Sequence, residues 1–268
     1  MSKEFEIQSA DEELLRTIDK KFKLIADNPK YYLARQARVQ ALIDNLGNVS
    51  QWWALSSAER RARMFDEDDG AGQKVSKGEL KARSIKSVAA ASLAWTAMRE
   101  ATIYYKSNTL GVLTPSFLSH IAGMIDSRNN EYRNNDQSAE IFQGYYQAPS
   151  GFQVEDLVKE MTSALKKSKA HPVNNAAFAH LTLVGLQPFR YANKRLARLI
   201  QGSILVDAGL PPIIVHPLAR EEYAGQLMSG LVGIRYKQAD LQRHFYDYVA
   251  NRVDLDLNNL VSKTKVRR

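Results

Sequence analysis

Cysteine is absent from the 268 residues, which excludes disulfides, thiolate nucleophiles and thiolate metal sites. No apolar run approaches the roughly 20 residues that a membrane-crossing helix requires. The first residues, MSKEFEIQSADEELL, lack the apolar core of a signal peptide. These absences suit a cytoplasmic protein without a membrane partner, and leave a secreted effector open. What is present is ordinary for a chain with a real core: 44% hydrophobic and 25% charged residues. Basic residues outnumber acidic ones 37 to 29, a formal charge of +8, and the pI is about 9.5. That balance permits a polyanionic partner without requiring one.

Apolar spacing is helical through most of the chain. Leu14, Leu15, Ile18, Phe22 and Ile25 recur at three- and four-residue steps, and Leu33, Val39, Leu42 and Ile43 continue the pattern. Trp52-Trp53 and a helix capped by Ser56 or Ser57 are expected next, the Trp pair as packing against the main body. The stretch 66–78, DEDDGAGQKVSKG, reads as a linker. A long amphipathic helix over 79–107 follows, inward through Ile85, Val88, Leu93, Trp95 and Met98. Thr114-Pro115 opens another helix, with Thr114 as cap and Pro115 in its first position, ending near Asp126. Residues 127–152 are rich in turn formers and aromatics, and Ile141-Phe142 with Tyr145-Tyr146 suggest a short hairpin. Helices over 154–165, Ala176–Leu186 and 193–208 come next, the last ended by Gly209 and Pro211. Two more cover about 217–250, ahead of a basic tail.

The most informative stretch is LQPFRYANKRLARLIQG, residues 186–202. An apolar helix runs into Pro188-Phe189, a short polar hinge follows, and a helix begins that carries Lys194, Arg195 and Arg198. Helix starts favour anions, because their N–H groups lack helical partners and the helix dipole is positive there. Arg195 and Arg198, three apart, share a face and can grip a phosphate through paired hydrogen bonds. Yet the hinge holds no acid, no histidine and no metal ligand.

The stretch 84–215 resembles a Fic-fold domain of the Fic/Doc family. That family's loop has the form His-x-Phe-x-(Asp/Glu)-(Gly/Ala)-Asn-(Gly/Lys)-Arg, with a further Arg three residues on. Here it reads Gln187-Pro188-Phe189-Arg190-Tyr191-Ala192-Asn193-Lys194-Arg195, with Arg198 in the last place. The flanks are similar too: NNEYRNNDQSAEI before the flap, GYYQAPSGF as the flap hairpin, and HPVNNAAFAHLTLVGLQPF as the helix leading into the loop. The resemblance implies a mainly α fold, a helical bundle with a small β-hairpin flap, here with an N-terminal helical extension. It divides the chain into an N-terminal helical region and linker at 1–78, a Fic-like domain with C-terminal helices at 79–250, and a basic tail at 251–268.

Members of that family transfer part of a nucleotide, commonly AMP from ATP, to a hydroxyl of a target protein. The resemblance implies that the loop His is the base, the acid binds the metal on the phosphates, Asn and Arg hold the phosphates, and the flap aligns the target. The Ala-Asn-Lys-Arg ending is that of Doc-like toxins, for which phosphoryl transfer is implied instead. In this chain Gln187 stands at the base position, and a carboxamide takes no proton in the useful range. General-base assistance is worth about 10²–10⁴-fold. Tyr191 stands at the acid position, and a neutral phenol is a poor Mg²⁺ ligand beside a carboxylate, which argues against Mg²⁺ and any other metal. Asn193, Lys194, Arg195 and Arg198 remain as nucleotide- or phosphate-binding candidates, and Tyr145 and Tyr146 as flap residues facing a target.

His180 cannot replace the missing base. It precedes Gln187 by two turns, about 10 Å at roughly 1.5 Å per residue. His171 and His180 fit structural roles, and His216 reaches the loop only if the IIVHPL stretch folds back. The inhibitory Ser/Thr-x-x-x-Glu-(Gly/Asn) element of many family members is missing, since no Glu is followed by Gly or Asn. The expected function is therefore a Fic-domain protein with a degenerate loop. It binds ATP, another nucleotide or phosphate with little or no transfer, as a regulator or partner of another protein. The alternative is an active nucleotidyl- or phosphotransferase modifying a target hydroxyl, with Gln187 only orienting the acceptor. Nucleic acid binding through KKSKAH and SKTKVRR lacks a supporting motif. The N-terminal helices offer a cover for the flap or a homodimer surface.

Overall fold

The computed structural model describes residues 5–47, 77–129, 131–134, 140–141 and 146–264. The first helix, α1 (Glu12–Ile25), is started by Asp11, whose carboxylate accepts from the Leu14 N–H at 2.8 Å, with Glu12 and Glu13 on the positive helix end. Helix α2 (Pro29–Gly47) opens on a proline, and the Asn28 side chain accepts from the Lys30 N–H. Both bury one apolar edge: Leu15, Ile18 and Ile25 from α1, and Tyr31, Val39, Leu42, Ile43 and Leu46 from α2. Leu33, expected inside, is exposed, because Tyr31 rather than Leu33 lies on the inward edge of α2. The Trp pair, the helix after it and most of the linker lie outside the described residues.

Helix α3 (Lys77–Tyr104) begins where the linker was expected to end. Its buried side is Ala91, Ala94, Trp95 and Met98, a three- and four-residue progression. Ile85 and Leu93 fall off that line and are 63% and 64% exposed, contrary to the expected inward set. A short α4 (Thr109–Val112) leads to α5 (Pro115–Ile125), where Thr114 caps and Pro115 occupies the first turn as its sequence position predicts. Strands β1 (Glu140–Ile141) and β2 (Tyr146–Gln147) pair antiparallel, with Ile141 opposite Tyr146. The hairpin is thus present, one residue out of the expected pairing on each side.

Helix α6 (Gly151–Lys167) packs on α7 (Pro172–Leu186), which is buried over every residue from Val173 to Leu186. A helix this rich in apolar residues, with its asparagine and histidine side chains paired, belongs in the middle of a bundle. Helix α8 (Asn193–Asp207) lies directly against it and is itself mostly buried. Gly209, at φ +83°, turns the chain after α8. A 3₁₀ turn (Pro217–Ala219) precedes α9 (Arg220–Tyr236) and α10 (Ala239–Thr264). The last helix runs fourteen residues past the end expected near 250. Its continuation buries Val253, Leu257 and Leu260 and is tied to the N-terminal helices by Lys21–Asp254, at 2.6 Å, and Arg38–Asp256. Each Leu or Val so buried contributes about 1.5–3 kcal/mol. The outcome is a helical bundle whose two central helices, α7 and α8, carry the loop between them.

Candidate functional site

The loop joining α7 to α8 is held in a conformation it would not choose alone. Gln187 ends α7 in the left-handed region (φ 45°, ψ 59°), and Ala192 precedes α8 in the same region (φ 60°, ψ 17°). Neither is glycine, and each such residue costs on the order of 1 kcal/mol. The support that offsets this strain comes from the upstream residues Asn129, Tyr132 and Arg133 and from Asn193 within the loop's own helix start.

Arg133, 6% exposed, donates to the carbonyls of Leu186 (3.1 Å), Gln187 (2.6 Å) and Pro149. Its own backbone N–H donates to the Pro188 carbonyl at 3.0 Å. Two of these acceptors belong to the last turn of α7, whose carbonyls have no helical donors and carry the negative end of the helix dipole. Asn129, 1% exposed, clamps Tyr191 at both main-chain groups, donating to its carbonyl at 2.8 Å and accepting from its N–H at 3.0 Å. Tyr132 stacks on Phe189 with ring centroids 5.0 Å apart, and its hydroxyl donates to the Pro115 carbonyl. The family-like segment is visible in the sequence, but the positions that do the holding were not singled out. Their signal is the alternation of amides, an arginine and a tyrosine in the family-like, turn-rich stretch NNEYRNN.

Asn193 adds an internal staple. Its carboxamide accepts from the Phe189 N–H at 3.0 Å and donates to the Phe189 carbonyl at 2.8 Å. Both polar ends of the side chain are thereby engaged in closing the loop. Lys194 is 8% exposed. The two arginines take different partners: Arg195 lies 3.6 Å from Asp126, whereas Arg198 donates to Asn45 of α2 at 3.4 Å and to the Lys194 carbonyl at 3.3 Å. Arg198 is 6% exposed, so α2 covers the second arginine of the loop.

Gln187 is 3% exposed, and its Nε2 is buried without an acceptor. A buried donor without a partner costs about 1–3 kcal/mol, and this one sits at the position where the resemblance puts a base. Tyr191 carries Arg128 on its face, 3.6 Å from guanidinium carbon to ring centroid. Asp126 holds that guanidinium with two hydrogen bonds, 2.8 and 2.7 Å, to Nε and Nη2. Burial pushes the Asp126 carboxyl up, but the hydrogen bonds and charge of Arg128, with Arg195 behind them, outweigh it and hold the group below the usual carboxylate range.

All five histidines are placed, and none reaches the loop as a base. His180 is fully buried, with Nδ1 3.0 Å from Gln201 Oε1 and Nε2 2.9 Å from the Tyr223 hydroxyl. Burial first, then the Arg198 charge, drives its pKa down to about 3 against the Gln201 hydrogen bond. His171 caps α7 and faces Asp19; His216 accepts from the Leu218 N–H; His244 meets Ser229; His120 packs on Phe117. Of the flap pair, Tyr145 lies outside the described residues. Tyr146 is 5% exposed, with its hydroxyl over Gly185 of α7 and its pKa pushed up to about 12 chiefly by burial. Its side chain is thus part of the core and is not presented to a target. No group of three or more His, Cys, Asp or Glu side chains that could hold a metal occurs among the described residues.

A strained loop between two central helices, an arginine-bearing helix start and a two-stranded hairpin beside it make up a loop-centred candidate site on a helical scaffold. Residues 113–205 match the model of the Fic/DOC family, so the chain carries a Fic/DOC domain. Protein adenylyltransferase Fic of Drosophila persimilis is 45% identical over 56 residues, 21% of this chain and 11% of that protein. The same protein of Drosophila grimshawi is 41% identical over 58 residues, 22% of this chain and 12% of its own length. The match therefore spans about a tenth of the curated relatives. Among solved structures, Fic-1 (residues 134–508) of C. elegans superposes with a TM-score of 0.67 at 18% identity, covering 94% of this chain and 72% of that one. A Fic domain containing signaling protein from Bacteroides thetaiotaomicron gives 0.68 at 17% identity, covering 94% and 97%. The fold is that of Fic proteins. Among the described residues, no helix is long and apolar enough to cross a membrane.

Proposed function

We propose that this protein binds a nucleotide, or another phosphate-bearing ligand, at its Fic loop and carries out little or no group transfer, serving as a regulator or interaction partner of another protein. The observation that carries this reading is Gln187, buried at the base position with a hydrogen-bond donor and no acceptor. An attacking hydroxyl must lose its proton to an acceptor, and the nearest imidazole on the same helix, His180, is fully buried with both nitrogens engaged. Anion recognition is independent of that loss. Arg195, the α8 start and the clamped backbone of the loop keep the features that favour a phosphate.

The test has two arms. Isothermal titration with ATP should show binding that weakens on Arg195→Ala. Incubation with labelled ATP and cell lysate should give no labelled protein with the wild type. Robust labelling that disappears in Arg195→Ala refutes the reading in favour of an active transferase. Gln187→His combined with Tyr191→Asp should switch labelling on, because it restores a base and an acid on a loop whose main chain is already fixed.

A further inference from the structure

The residues around Tyr191 do not fit a divalent cation. Mg²⁺ asks for near-octahedral oxygen ligands and usually takes at least one carboxylate. Among the described residues, the carboxylate seen to touch this cluster is Asp126, which already meets both Arg128 and Arg195. Tyr191 presents one ring face to the Arg128 guanidinium at 3.6 Å, and the Arg190 guanidinium carbon lies 5.4 Å from the same ring centroid. A divalent ion placed here meets fixed positive charge at close range.

We propose that the Arg128 guanidinium, locked over the Tyr191 ring, supplies the positive charge for the ligand's phosphates, so that this protein binds nucleotide without a divalent cation. This rests on the nucleotide reading above and names the form of ligand the site takes: the metal-free polyphosphate. Three features support it. The guanidinium is immobilised on two sides, by the aromatic face and by the bidentate Asp126 pair, so little side-chain freedom is lost when a phosphate arrives. Its side chain remains 53% exposed, so its outer edge is reachable from solvent. Asp126 meets both Arg128 and Arg195, so two guanidinium groups lie together, as a polyphosphate with several charged oxygens requires. The aromatic residue at 191 then has a positive purpose, as the platform for the arginine.

The experiment is isothermal titration of ATP into the wild-type full chain in EDTA and, separately, in excess MgCl₂. Binding in EDTA is expected to be as tight as in MgCl₂ or tighter, because free ATP carries more negative charge than its Mg²⁺ complex. Arg128→Ala is expected to weaken binding in EDTA by about tenfold or more. Tyr191→Asp with Arg128→Ala is expected to make binding depend on Mg²⁺. ATP binding seen in MgCl₂ but lost in EDTA overturns the proposal while leaving the nucleotide reading in place. Absence of ATP binding in both buffers overturns both. The wild-type comparison needs no substitution, so a folding defect in a variant does not blunt it.

Discussion

Replacing Arg133 by methionine isolates the support of the loop from its chemistry. The side chain is 6% exposed and donates to three carbonyls, those of Leu186, Gln187 and Pro149. Hydrogen bonds from a charged donor are worth about 1.5–3 kcal/mol each, which sets an upper bound of several kcal/mol for three. The sum is not reached, because methionine also removes the cost of burying a guanidinium. Each buried carbonyl left without its donor costs about 1–3 kcal/mol, and with the relief of guanidinium burial set against three of them the expected loss for Arg133→Met is about 2–4 kcal/mol. At about 2–4 °C per kcal/mol for domains somewhat smaller than this one, the melting temperature should fall by roughly 10 °C. Urea unfolding followed by circular dichroism gives the free energy directly, with an unchanged m-value showing that the denatured state is the same. Arg133→Lys should fall between wild type and methionine, since an ammonium keeps the charge but lacks the planar fork. A loss under about 1 kcal/mol for Arg133→Met would show that the left-handed turn at Gln187 holds without the guanidinium, and the account of the loop's support would be wrong.

His180 makes stability depend on pH. Its pKa is lowered from 6.5 to about 3 in the fold, so the unfolded chain binds more protons between those values. The stabilisation from keeping it neutral is complete above the unfolded pKa and is lost as pH falls from about 6.5 toward 3, by up to about 1.4 kcal/mol per pH unit. His180→Gln should flatten that portion of a stability-versus-pH curve relative to wild type; parallel curves would refute the assignment. Gly47→Ala places a methyl group 2.3 Å from the Val88 backbone, where α2 crosses α3. Overpacking against main chain should cost about 1–3 kcal/mol, read by urea unfolding, and an unchanged midpoint would mean that the two helices part freely.

Much of the scaffold was legible because it is written in local signals. Thr114-Pro115 starts α5, Gly209 ends the turn after α8, and the strongly apolar run from Ala176 to Leu186 had to be central. The candidate loop was legible from its cations and its family pattern. What the side chains do there was not. Asn193 is a phosphate candidate by position, yet its carboxamide closes on Phe189, four residues back, through a geometry that exists only once the loop is formed. Arg198 shares a helix with Arg195 but meets Asn45, more than 150 residues earlier in the chain. Tyr146 reads as a surface flap aromatic, and the small residue opposite it, Gly185, draws it inward. In each case the partner is distant in sequence, and spacing along one helix or strand carries no trace of it. The same holds for Leu93 and Ile85, whose apolar character says that they prefer burial but not which edge of α3 meets the bundle.

The anchors that Asn129 and Arg133 place on the loop grip peptide groups: the N–H and carbonyl of Tyr191 and the carbonyls of Leu186, Gln187 and Pro188. Those atoms are present whatever side chain occupies 187 or 191. Shape and reactivity are therefore inherited separately in this loop. A lineage can exchange its base and its acid without losing the frame that would position them, and can regain them by two substitutions. A frame built in this way keeps its shape whichever side chains the chemistry at 187 and 191 calls for.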